Sequence, residues 1–131
     1  MGRYKHLTDI LWVDDIRDPY SKEWTNWFIK NVGAISSDKF CWVKNFDEFK
    51  EYIDNYGLPR VICFDHDLGE TGKNERNGLT CAKYLIEYCL NNNLDISKYC
   101  CQTSNPVGKQ NISSLLDNYH KHFSNLNNKN K

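Results

Sequence analysis

In the segment "VICFDHDLGE", residues 61 to 70, two carboxylates and an imidazole follow directly on an apolar run. Placing Asp65, His66 and Asp67 at the end of a core strand carries a desolvation cost that calls for a compensating partner. Two other stretches share this form. "TDILWV" runs into Asp14-Asp15 with Arg17 close behind, and "KYCCQ" runs into Thr103-Ser104-Asn105. Four carboxylates cannot crowd together ionised without a counter-charge, so either some hold protons or a cation sits among them. Oxygen ligands at strand ends favour Mg²⁺ or Mn²⁺. A metal beside hydroxyl, amide and guanidinium donors would make a phosphate site. The helix opened by Asn105-Pro106-Val107-Gly108 can turn backbone N–H groups toward the same anion.

Each of these residues also has a plainer use. Asp14 and Asp15 can cap a turn, Asp18 can cap a helix, and Arg17 can simply neutralise carboxylates. His66 can pack against its neighbours, and Thr103 can serve only as a strand residue. "GETGKNER" lacks the full phosphate-loop pattern and is set aside. His120 and His122 lie two apart, so they do not share a helical face.

Strands alternating with helices must position these groups. Strands are expected at 8–13, 39–43, 60–64 and 98–102. Asp18-Pro19 predicts a cap followed by proline at the first helical position, with Tyr20, Trp24, Trp27, Phe28 and Val32 on one face. Asn45 and Glu48 resemble a capping box ahead of Phe46, Phe49, Ile53 and Tyr56. A mobile loop is expected over 69–78, followed by a helix carrying Leu79, Ala82, Leu85, Ile86 and Cys89. Asn105-Pro106 opens the last helix, with Ile112, Leu115, Leu116, Tyr119 and Phe123 facing the core. The pattern predicts an α/β fold: a single-domain, flavodoxin-like parallel sheet of order 2-1-3-4, lacking a fifth strand and helix. The domain spans 1–123 and residues 124–131 form a disordered tail. In such sheets ligands bind beyond the strands' carboxyl ends, where strand order reverses, here between strands one and three.

The 131 residues suit one domain. With 17 Lys plus Arg against 17 Asp plus Glu, the chain has no bulk positive charge for gripping duplex DNA or an acidic membrane. No apolar run reaches membrane-spanning length, the start "MGRYKHL" lacks a signal-peptide core, and His6 breaks a myristoylation signal at Gly2. A cytoplasmic protein is expected. The six cysteines include no C-x-x-C pair and are read as reduced thiols, mostly buried in apolar patterns, rather than as a zinc site.

The chain resembles the receiver domains of response regulators. In that fold an acidic pair after strand one, an aspartate ending strand three and a Ser/Thr ending strand four surround Mg²⁺ and a phosphoryl group. Asp14, Asp15, Asp65 and Thr103 match those places, while the lysine of strand five has no match. More closely, the chain resembles the divergent cyclic-phosphate processing receiver domains, marked by D-D-x-R-x-P, F-D-H-D-L-G and H-S-x-N-P-x-G. Here these read Asp14-Asp15-Ile16-Arg17-Asp18-Pro19, Phe64-Asp65-His66-Asp67-Leu68-Gly69 and Gln102-Thr103-Ser104-Asn105-Pro106-Val107-Gly108. Gln102 departs, standing where the family tends to have histidine.

The resemblance implies a metal-dependent phosphoesterase acting on a cyclic or terminal phosphate of a nucleotide or an RNA end. Asp14, Asp15 and Asp65 would hold Mg²⁺ or Mn²⁺, with Asp67 as a fourth carboxylate nearby. Asp65 could instead attack phosphorus. The expected catalytic set is Asp65, Asp67, His66, Arg17 and Thr103, with His66 as acid–base group. Arg17, Thr103, Ser104, Asn105, Gly108 and Lys109 would bind the phosphate-bearing ligand. Two alternatives stand beside this reading: a signalling receiver phosphorylated on Asp65, and a nucleotide-binding module without turnover, which Gln102 favours.

Overall fold

Two four-residue strands, β1 (Ile10–Val13) and β3 (Val61–Phe64), are buried along their whole length. They are apolar on both faces because helices cover both faces, as in parallel α/β sheets. In the computed structural model, which describes residues 10–33, 40–70 and 75–129, these strands form the centre of a four-stranded parallel sheet. β2 (Phe40–Val43) and β4 (Lys98–Cys101) flank them, giving the order β2-β1-β3-β4. Residues 8, 9 and 39 of the predicted strands, positions 71–74 of the predicted loop, and the N-terminal residues Gly2 and His6 lie outside the described residues.

Side-chain alternation divides the core in two. Leu11, Val13, Ile62, Phe64 and Cys101 face α2 (Phe46–Tyr56), α3 (Gly78–Asn92) and α4 (Pro106–Lys129). Ile10, Trp12, Val61 and Cys63 face α1 (Lys22–Asn31), whose Trp24, Trp27 and Phe28 close over Trp12 and Phe40. The aromatic contacts there are tilted or edge-on, with the Trp12 ring centroid 6.0 Å from Trp24 and 5.8 Å from Phe40.

Register brings the site together. Val13 pairs with both Val43 and Phe64, and Phe64 pairs with Cys101. The next residues continue the ladder: Asp65 N donates to Val13 O at 2.9 Å and Gln102 N donates to Phe64 O at 3.0 Å. Asp14, Asp65 and Gln102 therefore stand side by side at the carboxyl ends of the three strands.

Two of the expected caps are present. Asn45 Oδ1 accepts from Glu48 N at 2.9 Å, and Asn105 Oδ1 accepts from Gly108 N at 2.9 Å. The Glu48 carboxylate reaches back one residue further than a capping box requires, to Lys44 N. Asp18 does not cap α1. Its carboxylate accepts from Tyr20 N at 2.8 Å and its carbonyl from Ser21 N, so it is used up in a tight turn, and Ser21 becomes the cap. Tyr20 consequently lies before the helix and not on its face. α4 continues to Lys129, into the segment read from sequence as a disordered tail. That stretch contains no Gly or Pro to stop a helix.

Candidate functional site

The carboxylates of Asp14, Asp15 and Asp65 converge, with one ligand oxygen from each lying within 4.8 Å of the others. The turn after β1 holds Asp14 fully buried. Its Oδ1 accepts from Ile16 N at 3.0 Å and Arg17 N at 2.9 Å, which curls the D-D-x-R segment around the carboxylate. Two indoles fix the same turn: Trp42 Nε1 donates to Asp14 O, and Trp12 Nε1 donates to Arg17 O. Buried Trp N–H groups need acceptors, and here the acceptors are the backbone that shapes the site.

Arg17 is the counter-charge. Its Nη1 lies 3.3 Å from Asp14 Oδ2 and 3.3 Å from Asp65 Oδ2, and its guanidinium packs over the Trp24 ring. One guanidinium does not neutralise the cluster. Burial, with Asp14 adding repulsion, pushes the Asp65 carboxyl up to about 6, although Arg17, Thr103 and the His66 N–H pull the other way. Gln102 is buried too. Its Nε2 donates to Val13 O at 3.0 Å and Asp14 Oδ2 at 3.3 Å, while its Oε1 is buried without a protein partner.

Asp67 does not join the acidic cluster. It turns outward and pairs with His66, Oδ1 to Nδ1 at 3.0 Å, and this contact holds the Asp67 carboxyl below its ordinary range. Asn105 completes the group, with Nδ2 3.4 Å from both His66 Nδ1 and Asp67 Oδ2. Seven predicted residues thus divide into two adjoining sets: Asp14, Asp15 and Asp65 with Arg17, and His66 with Asp67 and Asn105. Thr103 connects the two stretches, since its hydroxyl meets Asp65 and also accepts from Asn105 N at 3.1 Å.

Gly108 has a different part from the one expected. Its N–H is given to Asn105 and so is not turned to a ligand. A Cβ at Gly108 would lie 2.3 Å from His66 Cγ, so the glycine lets the imidazole lie against the first turn of α4. Lys109 lines a groove with Cys100, Cys101 and Ser113 along the outer edge of β4. Ser104 is exposed at the rim.

Sequence reasoning missed Gly78 and Arg76. A Cβ at Gly78 would come within 1.9 Å of Asp65 O, and Gly78 N donates to His66 O at 2.7 Å, so the start of α3 braces the Asp65-His66 backbone. Asn77 caps that helix reciprocally with Thr80. Arg76 pairs with Glu70 and Asp47, tying the end of the loop back to its beginning and to α2. The asparagine-glycine step before an apolar helical pattern is the signal that could have located the cap.

The family model for the cyclic-phosphate processing receiver domain matches residues 10–118. The chain belongs to that family. No curated protein and no solved structure matches it. The match runs from the first residue of β1 into α4, so it takes in all four strands and all three motif stretches. Membership in this receiver family associates the chain with cyclic-phosphate processing.

Proposed function

We propose that the protein is a metal-dependent phosphoesterase that opens a cyclic phosphate on a nucleotide or an RNA end. The observation that carries this reading is the cluster of Asp14, Asp15 and Asp65, undercompensated by Arg17, beside a histidine already paired to a carboxylate. The donor set fits Mg²⁺ or Mn²⁺: three carboxylates supply hard oxygens, and the raised Asp65 carboxyl supports a need for further positive charge. When bound, such an ion would polarise a phosphate oxygen and lower the pKa of a coordinated water.

The chain's own residues do the rest. Arg17 and the Thr103 hydroxyl stand beside Asp65, suited to orient phosphate oxygens and stabilise charge that builds on them. His66 donates its Nδ1 proton to Asp67, which leaves Nε2 as the nitrogen that exchanges a proton with the departing ester oxygen. Asn105 keeps the pair oriented from the N-cap of α4, donating from Nδ2 to Asp67 Oδ2. Opening a cyclic diester requires a proton at the leaving oxygen, and His66, when protonated on both nitrogens, would deliver it from Nε2.

One observation favours a second reading, capture without turnover. Gln102 occupies the position where the family tends to carry histidine, and its amide is engaged with Asp14 and Val13. Incubation with Mg²⁺ or Mn²⁺ and a panel of cyclic mononucleotides, cyclic oligonucleotides and 2′,3′-cyclic-phosphate RNA ends separates the readings. A ring-opened product supports the esterase. Retained, unchanged ligand supports the binding module. Labelling of Asp65 by acetyl phosphate, with neither of those results, would support a phospho-accepting receiver in their place.

A further inference from the structure

Cys63 and Cys100 are register partners on the parallel strands β3 and β4, and their Sγ atoms lie 3.0 Å apart. Neighbouring strands run about 4.8 Å apart, within the span of Cα separations that a disulfide bridges. Joining these two sulfurs therefore needs no slip of the sheet. Both belong to the face covered by α1, whereas Cys101 faces the opposite core.

The two thiols differ in access. Cys63 is fully buried. Cys100 is half-buried and lines a groove of about 420 Å³ along the outer edge of β4, together with Trp27, Asn31, Tyr99 and Lys109. Cys100 borders the groove, and the Cys63 sulfur lies 3.0 Å from its own.

We propose that Cys100 and Cys63 form a peroxide-responsive thiol pair, with Cys100 as the attacking sulfur and Cys63 as the resolving one. The Cys100 thiolate attacks one oxygen of hydrogen peroxide. An S–O bond forms, the O–O bond breaks, and the departing hydroxide takes up the proton that Cys100 released on ionising, to leave as water. Cys63 sulfur then attacks the Cys100 sulfenic acid. The S–S bond forms, the S–O bond breaks, and hydroxide leaves with the Cys63 proton as a second water. Two thiols lose two electrons and one peroxide is reduced to two waters. The close approach of the sulfurs makes resolution intramolecular. The bridge would tie β3 to β4 two residues below Asp65 and Gln102.

The test uses the full chain, reduced, freed of reductant and treated with a small excess of hydrogen peroxide. It is then denatured, alkylated and mapped by peptide mass spectrometry. The expected result is loss of two of the six free thiols with a Cys63–Cys100 linked peptide, reversed by a thiol reductant. Cys63→Ala should abolish the link and let Cys100 advance to sulfinic acid. Should that buried change impair folding, Cys100→Ser at the groove margin should leave all five remaining thiols alkylatable. Recovery of all six thiols from treated wild type, or a link through Cys101, overturns the proposal. Neither result depends on whether the carboxylate cluster binds metal or turns over a phosphate.

Discussion

Asp65 is held in a position that costs stability in the absence of a bound cation. Its carboxyl titrates near 6 in the folded chain against an unfolded value near 4, so the folded state keeps its proton longer. The sign follows from that difference. The contribution of Asp65 to stability is greatest below the unfolded value, falls as pH rises through about 4 to 6, and levels off above. The loss is up to about 3 kcal/mol, with the opposing pull of Arg17 already included. Asp65→Asn should flatten this dependence, and denaturant melts of the metal-free protein between pH 4 and 7 check it. In the enzyme reading the same variant should lower turnover about a thousand-fold, roughly 4 kcal/mol of transition-state stabilisation. His66→Gln is a narrower test. As the proton donor, His66 should be worth about a hundred- to ten-thousand-fold, and its loss should delete one limb of the pH–rate profile. Near wild-type turnover with an unaltered profile would reduce His66 to a packing residue and leave metal-bound water as the only acid–base group.

The N-termini of α3 and α4 brace the site, and two glycines show how closely. Gly78→Ala would drive a methyl into the Asp65 backbone carbonyl, and should destabilise by about 2 to 3 kcal/mol in thermal or denaturant melts. Gly108→Ala meets the imidazole instead, so it should cost less stability and displace His66. Its clearest sign should be a changed His66 ring resonance in NMR. The elements themselves were legible from sequence, because apolar strand runs and 3.6-residue stripes are local signals, and Asn45 and Asn105 announce their helices. Ser21 was not legible as a cap, because Asp18 offers a better-looking one until its carboxylate is seen closing a turn on Tyr20. The convergence of Asp14, Asp15 and Asp65 was readable because parallel strands in register end at one rim. The outward turn of Asp67 and the close approach of Gly78 were not, since both depend on how a loop folds back in three dimensions.

At the scale of the whole molecule, the sheet is covered unevenly. Three helices bury one face, α1 alone covers the other with a cluster of aromatic rings, and among the described residues β4 has no further strand beside it. No helix among those residues is long and apolar enough to cross a membrane. The site lies at the carboxyl ends of β1, β3 and β4, where strand order reverses, and so draws on every strand pair around it. A ligand bound there should therefore be felt in global stability. The most direct test of the account is a thermal melt titrated with Mg²⁺ and with Mn²⁺, in wild type and in Asp14→Asn/Asp65→Asn. The account predicts a saturable rise in wild-type melting temperature, because bound cation neutralises the cluster, and no rise in the folded double variant. A flat wild-type titration, or an equal rise in the double variant, would contradict it.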